Sequence, residues 1–350
     1  MFKNYFILIL FFYLLNILIA TNPPYGKLTV NKKGQLIGSN GKIVQLRGPS
    51  LFVDIWSPDF YSDFVVRAIK CFFNGNIVKY IFFHFTYNLK LKVRAPFAPD
   101  GFEKNPNVTL NLAYKLIDGA INNGIYVIVD WHPTIDWHNC WDNNDIKKFT
   151  NNAIKFYTTI MKKYRGIPNI LLELWNEPSC NWNIVKKYHM DVLNEVRKFD
   201  SEVIAILGSN DVTKDPDDRV PGKNIMYTLH WYPIWEPLPF DYTEQILKNA
   251  SKKNQALFVT EYGDANVAPL DASIEPDKIK RFYELMDKYK LSYNKWTLVS
   301  LIDPKYPDKG MALMFKTCNI YQIYQESCLS DSGKLYRQQM WKYDNGIKGC

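Results

Sequence analysis

Several motifs that would assign this 350-residue sequence to a common functional class are missing from it. The six cysteines form no Cys-x-x-Cys pair, which argues against a structural zinc cluster. No Gly-rich phosphate-binding motif follows the first predicted strand, which argues against a nucleotide-binding open sheet. The net charge of +8 is spread along the chain without a basic stripe, so it indicates no nucleic-acid partner.

Charged residues are also scarce, at 22%, while hydrophobic residues make up 47% of the chain. That balance is typical of a globular protein with a large core and excludes an intrinsically disordered chain. Neither a linker nor an internal repeat interrupts the sequence, and no separate carbohydrate-binding module is visible. We therefore expect residues 21–350 to form a single domain, and we expect the protein to be a monomer.

A long hydrophobic run occurs at the N-terminus, and no second one follows it. Lys3 precedes the apolar stretch Tyr5–Ile19, and Ala20 offers a small residue at a cleavage point. This pattern predicts a signal peptide over residues 1–20, with a transmembrane anchor as the alternative interpretation. We expect the mature chain to be secreted, extracellular and independent of the membrane.

Secretion permits disulfide bonds, so it changes how the cysteines are interpreted. Cys318 and Cys328 enclose a short loop and are the first pair that we predict. The partners of the other cysteines stay open, because the sequence alone does not choose between pairings. These other cysteines are Cys71, Cys140, Cys180 and Cys350.

Strand-like and helix-like stretches alternate along the chain. Apolar, β-branched runs predict strands at Ile43–Leu46, Ile125–Val129, Asn169–Leu174, Val203–Leu207, Ile225–Leu229, Leu257–Val259 and Tyr293–Leu298, with one more near Ile77 or Val93. Stripes with helical spacing lie between them. This alternation predicts an α/β fold, a closed (β/α)8 TIM barrel. The turn signal Asn40-Gly41 predicts a short β-hairpin cap before the barrel.

Polar residues accumulate where the predicted strands end, which is where a barrel of this type places its active site. Glu177 and Glu261 follow different strands, so they can face each other across the barrel mouth. Glycoside hydrolysis needs such a pair, because one carboxyl group protonates the leaving oxygen while the other attacks the sugar or activates water. The alternative is that a buried glutamate merely pairs with an arginine. Flanking Asn, His, Tyr and Trp side chains favour the catalytic interpretation.

Four motifs resemble glycoside hydrolase family 5, and most closely the endo-β-1,4-glucanases of bacteria and of plant-parasitic nematodes. They are Ile-Val-Asp-Trp-His at 128–132, Leu-Trp-Asn-Glu-Pro at 174–178, Tyr-Thr-Leu-His-Trp-Tyr at 227–232 and Val-Thr-Glu-Tyr-Gly at 259–263. The resemblance runs from about Tyr25 to Lys342 with the motifs in the family's order. It implies a retaining mechanism with Glu177 as general acid/base and Glu261 as nucleophile, and it requires no cofactor and no metal.

The resemblance also implies roles for the neighbouring residues. The negative charge of Glu261 would raise the pKa of Glu177. Further residues would bind the sugar or hold the carboxylate pair in place. They are Asn176 and His132 for hydrogen bonds to the sugar, His230 and Tyr232 for support of the pair, and Trp296 for a stacking floor.

The family pattern ends its second strand with Asn-Gly-Asn, two aliphatic residues and an arginine. Here Lys79 stands at the motif's last position, whereas Arg94 stands at the family's spacing from Asp130. We therefore predict that Arg94 orients Glu261. Removing Val78–Lys92 would restore the motif, which suggests a retained intron translated in frame, and a genuine hydrophobic insertion is the alternative. The sequence of the spliced transcript distinguishes the two.

Two further alternatives stay open. Asp130 and His132, with Asp136, His138 and Cys140, could be metal ligands, although their irregular spacing argues against it. Trp131 is expected to lie in the core.

The leading functional interpretation is a secreted endo-β-1,4-glucanase whose partner is a β-glucan polysaccharide. Val53, Ser300 and Leu301 depart from the residues usual in the family, which makes a mannanase or a xylanase the first alternative. A catalytically silent glycan-binding protein is the second, and the intact glutamate pair argues against it.

Overall fold

The computed structural model of the chain describes residues 22–52, 57–84, 102, 105–133, 143–178, 180–209, 218–233, 241–265, 274–299, 312–315 and 317–350. The strands are β1 (Thr29–Val30), β2 (Leu36–Ile37), β3 (Arg47–Pro49), β4 (Ile77–His84), β5 (Tyr126–Pro133), β6 (Ile170–Glu173), β7 (Ile204–Leu207), β8 (Ile225–Trp231), β9 (Leu257–Tyr262) and β10 (Tyr293–Lys295). The helices are α1 (Asp63–Cys71), α2 (Pro106–Asn123), α3 (Asn143–Lys163), α4 (Trp182–Val196), α5 (Asp241–Lys252), α6 (Pro276–Tyr289) and α7 (Asp331–Met340).

Eight parallel strands form one sheet in the order β3-β10-β9-β8-β7-β6-β5-β4. The two ends of this order meet, because Ser50 and Lys79 form a parallel bridge and the Leu51 N–H donates to the Lys79 carbonyl at 3.0 Å. The result is a nearly closed barrel with helices between its strands. The predicted (β/α)8 TIM barrel is confirmed.

Each predicted barrel strand is present, with ends that differ by a few residues, except the first. The first barrel strand is Arg47–Pro49 and not Ile43–Leu46, because Ile43 pairs with Ile37 in the N-terminal hairpin instead. The eighth strand in our count is β4, which begins at Ile77 and pairs with β5 along its whole length. The other candidate, Val93, lies outside the described residues.

The predicted hairpin at Asn40-Gly41 is present. Gly41 has a φ of 76°, a left-handed conformation that glycine adopts without a steric penalty, and the Gly38 N–H donates to the Lys42 carbonyl at 3.0 Å. Leu36 and Leu46, on either side of this turn, pack against apolar side chains of the lower barrel interior. The hairpin therefore caps the end of the barrel opposite to the strand ends that carry the polar residues.

Side chains of the strands alternate between the barrel interior and the helix layer. In β6, Leu171 belongs to the inner cluster with Ile128 and Phe258, whereas Leu172 belongs to the cluster that packs against the helices. The predicted helical stripes face this second cluster. Val185, Tyr188 and other members of the α4 stripe are buried there.

Two disulfides are present among the described residues, and one of them confirms a prediction. Cys318 and Cys328 are bonded, and Cys71 of α1 is bonded to Cys350. Cys180 is buried and belongs to neither bond, while Cys140 lies outside the described residues. None of the helices in the described ranges combines the length and the apolar composition of a membrane span.

Candidate active site

The carboxyl ends of the parallel strands meet at one rim of the barrel. Seven of the predicted site residues lie at this rim, on or just after five different strands. They are His132 on β5, Asn176 and Glu177 after β6, His230 and Tyr232 at the end of β8, Glu261 on β9 and Trp296 after β10.

A local irregularity in β9 sets the direction of Glu261. Thr228 of β8 pairs with Phe258 of β9, yet His230, two residues further along β8, pairs with Glu261, three residues further along β9. The pairing of β9 with β10 shifts over the same stretch. A β-bulge redirects the side chains that follow it. Here it places Glu261 opposite His230.

The two predicted catalytic glutamates face each other. One carboxylate oxygen of Glu177, one of Glu261 and a ring nitrogen of His230 all lie within 4.8 Å of one another. The Tyr232 hydroxyl donates to Oε1 of Glu261 at 2.7 Å. The side chain of Glu261 is only 10% exposed, whereas that of Glu177 is 59% exposed. The pair therefore consists of one buried, oriented carboxylate and one that is open to solvent.

His230 links the two glutamates electrostatically. Its Nδ1 lies 2.6 Å from Oε1 of Glu177, and its Nε2 lies 3.2 Å from the Thr260 hydroxyl. Burial favours the neutral imidazole, but the charge of Glu261 and the hydrogen bond with Glu177 raise the pKa of His230 to about 9. The imidazole therefore carries a proton at neutral pH.

The expected rise in the pKa of Glu177 is wrong for this arrangement. Partial desolvation raises the pKa of Glu177, but the hydrogen bond from His230 and the charges of His230, His132 and Lys79 outweigh it and lower the pKa. The physical reason is that the protonated imidazole stands next to Glu177 and reverses the effect expected from Glu261. The Glu177–His230 pair therefore holds its proton on the histidine.

His132 and Trp296 form one wall of the rim. Nδ1 of His132 lies 2.7 Å from Oδ2 of Asp130, which fixes the ring. The rings of His132 and Trp296 are nearly parallel, at 11°, with their centroids 5.9 Å apart. Trp296 also packs on Phe52, at 6.1 Å between centroids. This arrangement gives Trp296 a fixed orientation beside the glutamate pair.

A buried charge cluster lies beneath the pair, and the sequence predicted no role in the site for two of its members, Lys79 and Glu173. Nζ of Lys79 lies 2.8 Å from Oε2 of Glu173 and 3.2 Å from Oδ2 of Asp130, and all three side chains are fully buried. Lys79 also donates to Oδ1 of Asn176 at 3.3 Å. A signal for this cluster is present in the sequence, because charged residues interrupt the apolar runs of β4 and β6.

A second buried lysine stands beside the site. Nζ of Lys295 lies 3.1 Å from Oδ1 of Asp264, and the Ser332 hydroxyl donates to Oδ2 of the same aspartate at 2.7 Å. Burial lowers the pKa of Lys295, which the charges of Asp264 and Glu261 partly oppose. The pair connects the end of β10 to α7.

Some predicted residues cannot be placed in this geometry. Arg94 lies outside the described residues, so its role stays a prediction, and the same holds for the candidate metal ligands Asp136, His138 and Cys140. Trp131 is buried, as predicted, and packs edge-on against Phe149. Within the described ranges, the side chains whose spacing could hold a metal ion are the glutamate pair and His230 themselves.

Comparison with known sequences identifies related proteins. The sequence model of the family described as cellulase, glycosyl hydrolase family 5, matches residues 40–300. Endoglucanase A of Butyrivibrio fibrisolvens is 25% identical over 327 residues, which cover 91% of this chain and 68% of that protein. Endoglucanase 5 of Pectobacterium carotovorum is 25% identical over 323 residues, covering 90% of this chain and 58% of that protein. The chain thus spans about two thirds or less of these relatives.

Solved structures share the fold. A structure from Cytophaga hutchinsonii is 28% identical, with a TM-score of 0.76, and the match covers 92% of this chain and 96% of that one. The catalytic domain of a Thermobifida fusca endoglucanase, solved with cellotetraose, is 24% identical, with a TM-score of 0.73. That match covers 91% of this chain and 100% of the other.

Proposed function

The chain belongs to the cellulase family of glycosyl hydrolases, family 5, and on that premise we propose that it is an endo-β-1,4-glucanase that acts with retention of configuration. The observation that carries the proposal is the approach of Glu177 and Glu261, because one carboxylate oxygen of each lies within 4.8 Å of the other. Retaining enzymes need a separation of about 5 Å, because a wider gap leaves room for a water molecule and leads to inversion.

Glu261 is the nucleophile in this proposal. Its carboxylate is buried and oriented by the Tyr232 hydroxyl, so one oxygen stays directed at the substrate. It attacks the anomeric carbon as the bond to the leaving sugar breaks, and a covalent glycosyl ester forms. Glu177 is accessible from the cleft and protonates the departing oxygen.

The proton for this step is stored on His230. In the free enzyme the charge of Glu261 favours the imidazolium, and a hydrogen bond of 2.6 Å connects its Nδ1 to Glu177. A substrate oxygen next to Glu177 replaces water there and favours the protonated carboxyl group, so the proton moves along this bond before it reaches the leaving group. In the second half-reaction Glu177 accepts a proton from the attacking water and returns it to His230, and the ester with Glu261 is hydrolysed.

The remaining rim residues bind the sugar. Trp296 offers an aromatic face, held by its stacking with His132. Asn176 precedes Glu177 directly and provides a carboxamide for hydrogen bonds to a sugar hydroxyl. The Thermobifida fusca domain of the same fold binds cellotetraose, which supports a β-glucan as the substrate of this chain.

The test of the proposed function is release of reducing ends from soluble carboxymethylcellulose by residues 21–350. A Glu261→Gln variant is the control. We expect clear activity in the wild-type chain and none in the control. Proton NMR of the first product formed from a cello-oligosaccharide then measures stereochemistry, and the β-anomer should appear first. First appearance of the α-anomer would rule out retention. Activity on mannan or xylan alone would show that the enzyme is a mannanase or a xylanase and not a glucanase.

We also propose that residues 1–20 direct secretion and that the mature protein acts as a monomer outside the cell. The apolar run after Lys3 and the presence of two disulfides support this proposal. N-terminal sequencing of protein collected from the medium tests it. A mature N-terminus that still contains the apolar run would contradict cleavage.

A further inference from the structure

Lys79 is the only positively charged member of the buried cluster that it forms with Asp130 and Glu173. It lies on β4 two residues after Ile77, and alternation along the strand directs both side chains into the barrel interior. None of its side chain is exposed. An ammonium group is strongly hydrated in water, so complete burial requires compensation from every side.

That compensation comes from three strands or their ends, β5, β6 and β9. Besides the two carboxylates, Nζ lies 3.3 Å from Oδ1 of Asn176 and 3.4 Å from the carbonyl oxygen of Thr260. Burial lowers the pKa of Lys79, but Asp130, Glu173 and Glu261 together raise it above its usual value, so the group stays charged. A charged lysine in such a site is costly to assemble without a specific use.

The contact with Asn176 indicates that use. An ammonium group has only donors, so it can face the oxygen of a carboxamide but not its NH2 group. Lys79 therefore fixes which end of the Asn176 side chain points into the barrel. The NH2 end is left to donate elsewhere, and Asn176 stands directly before Glu177 in the chain.

We propose that Lys79 is a positioning residue for the hydrolysis proposed above. It orients the carboxamide of Asn176 towards the sugar and so acts on the reaction without touching the substrate. This inference rests on the proposed function. It places on β4, at Lys79, the positively charged residue that was predicted at Arg94. Lys79 and Arg94 correspond in position. Lys79 is the second residue after Ile77, and removing Val78–Lys92 would put Arg94 at that place.

The first experiment measures kcat and KM on a soluble cello-oligosaccharide for the full chain. We expect Lys79→Met to lower kcat about 10²-fold, the loss that follows a misplaced substrate-binding group, with a smaller change in KM. Lys79→Arg keeps the donors and should recover part of the activity. Lys115→Met is the matched control, because Lys115 is exposed on α2. A Lys79→Met variant with the wild-type kcat would overturn the proposal.

A second variant separates positioning from charge balance. Lys79→Met removes one positive charge from the cluster, and adding Glu173→Gln replaces the carboxyl group that Lys79 contacts with a neutral amide, so no carboxylate at position 173 is left without its cation. We expect it to fold and to keep the low kcat, because Asn176 still lacks its partner. Recovery of the wild-type kcat in the double variant would show that Lys79 only balances charge, and the proposal would fail.

A third measurement does not depend on turnover. The side-chain amide signals of Asn176 in nitrogen-15 NMR spectra report the environment of its NH2 group. We expect them to shift or broaden in both variants and to remain unchanged in Lys115→Met. Unchanged signals in the double variant would overturn the proposal even if the wild-type chain hydrolysed none of the polymers tested. An inactive wild type with shifted signals would instead point to failure of the proposed function.

Discussion

The lower and the upper halves of the barrel interior are built from the same strands but from opposite kinds of side chain. In the lower half, Ile77, Ile128 and Leu171 belong to one apolar cluster. Two residues further along the same three strands stand Lys79, Asp130 and Glu173, which are equally buried and form the charge cluster. The lower half thus stabilises the fold, whereas the upper half holds charges that packing alone does not require.

This contrast teaches that burial by itself does not distinguish core from site in this molecule. The alternation of a strand places residues two apart on the same face, so both halves obey the same sequence pattern. The distinction is one of chemistry. Buried charge is costly, and it is found here next to the exposed glutamate that the proposed reaction uses.

The largest expected effect distinguishes the two halves of the barrel interior, because a variant in the upper half should lose activity and one in the lower half should lose stability. Glu261→Gln removes the proposed nucleophile, so we expect kcat to fall by a factor on the order of 10⁴ or more. Leu171→Ala leaves a cavity in the lower half and should lower the free energy of unfolding by about 2 to 5 kcal/mol. Urea unfolding and kinetics on both variants measure the two effects. An inactive but fully stable Leu171→Ala variant would break the division between the halves.

The cation of the upper half provides the next test. In a chain without Val78–Lys92, Arg94 takes the place two residues after Ile77. We expect this shortened chain to be active and Arg94→Met within it to lower kcat about 10²-fold, as a misplaced binding group does. An unchanged kcat after Arg94→Met in the shortened chain would contradict the equivalence of Arg94 and Lys79.

Loss of the Tyr232 hydroxyl should lower kcat less than loss of the charged groups of Glu261 or Arg94. Tyr232→Phe removes a hydrogen bond to the Glu261 carboxylate, and such bonds to charged groups contribute about 1.5 to 3 kcal/mol. If that contribution is made in the transition state, kcat falls roughly 10- to 100-fold. Tyr242→Phe is the control, because Tyr242 is exposed on α5. Equal kcat values for the two variants would show that the Tyr232 hydroxyl does not contribute to the proposed reaction.

The last expected effect is on the pH dependence of stability. The pKa of His230 is raised from 6.5 to about 9, so the folded protein binds the proton more tightly than the unfolded chain. This contribution to stability is complete below pH 6.5 and is lost as the pH rises to about 9. Thermal unfolding of the wild type and of His230→Asn across this range measures it. The decline in stability with rising pH should be weaker in His230→Asn. Identical slopes of melting temperature against pH in the two proteins would contradict the assignment of this effect to His230.

The sequence predicted the fold because its main signals are local and repeated. Alternating strand and helix patterns, the Asn40-Gly41 turn and the short Cys318–Cys328 loop each depend on neighbouring residues, and the structure contains all of them. The pairing of Cys71 with Cys350 was not predictable, because it joins distant parts of the chain and no local pattern specifies it.

For the site, the sequence by itself identified the candidate catalytic residues. The motifs around Glu177 and Glu261 place both at strand ends, and parallel strands bring those ends to one rim. Only the tertiary structure decided how the residues act on each other. The bulge in β9 sets Glu261 opposite His230, and the imidazole between the two carboxylates holds the proton that was expected on Glu177. Electrostatic effects depend on distance and burial in three dimensions, and neither is contained in the spacing of residues along the chain.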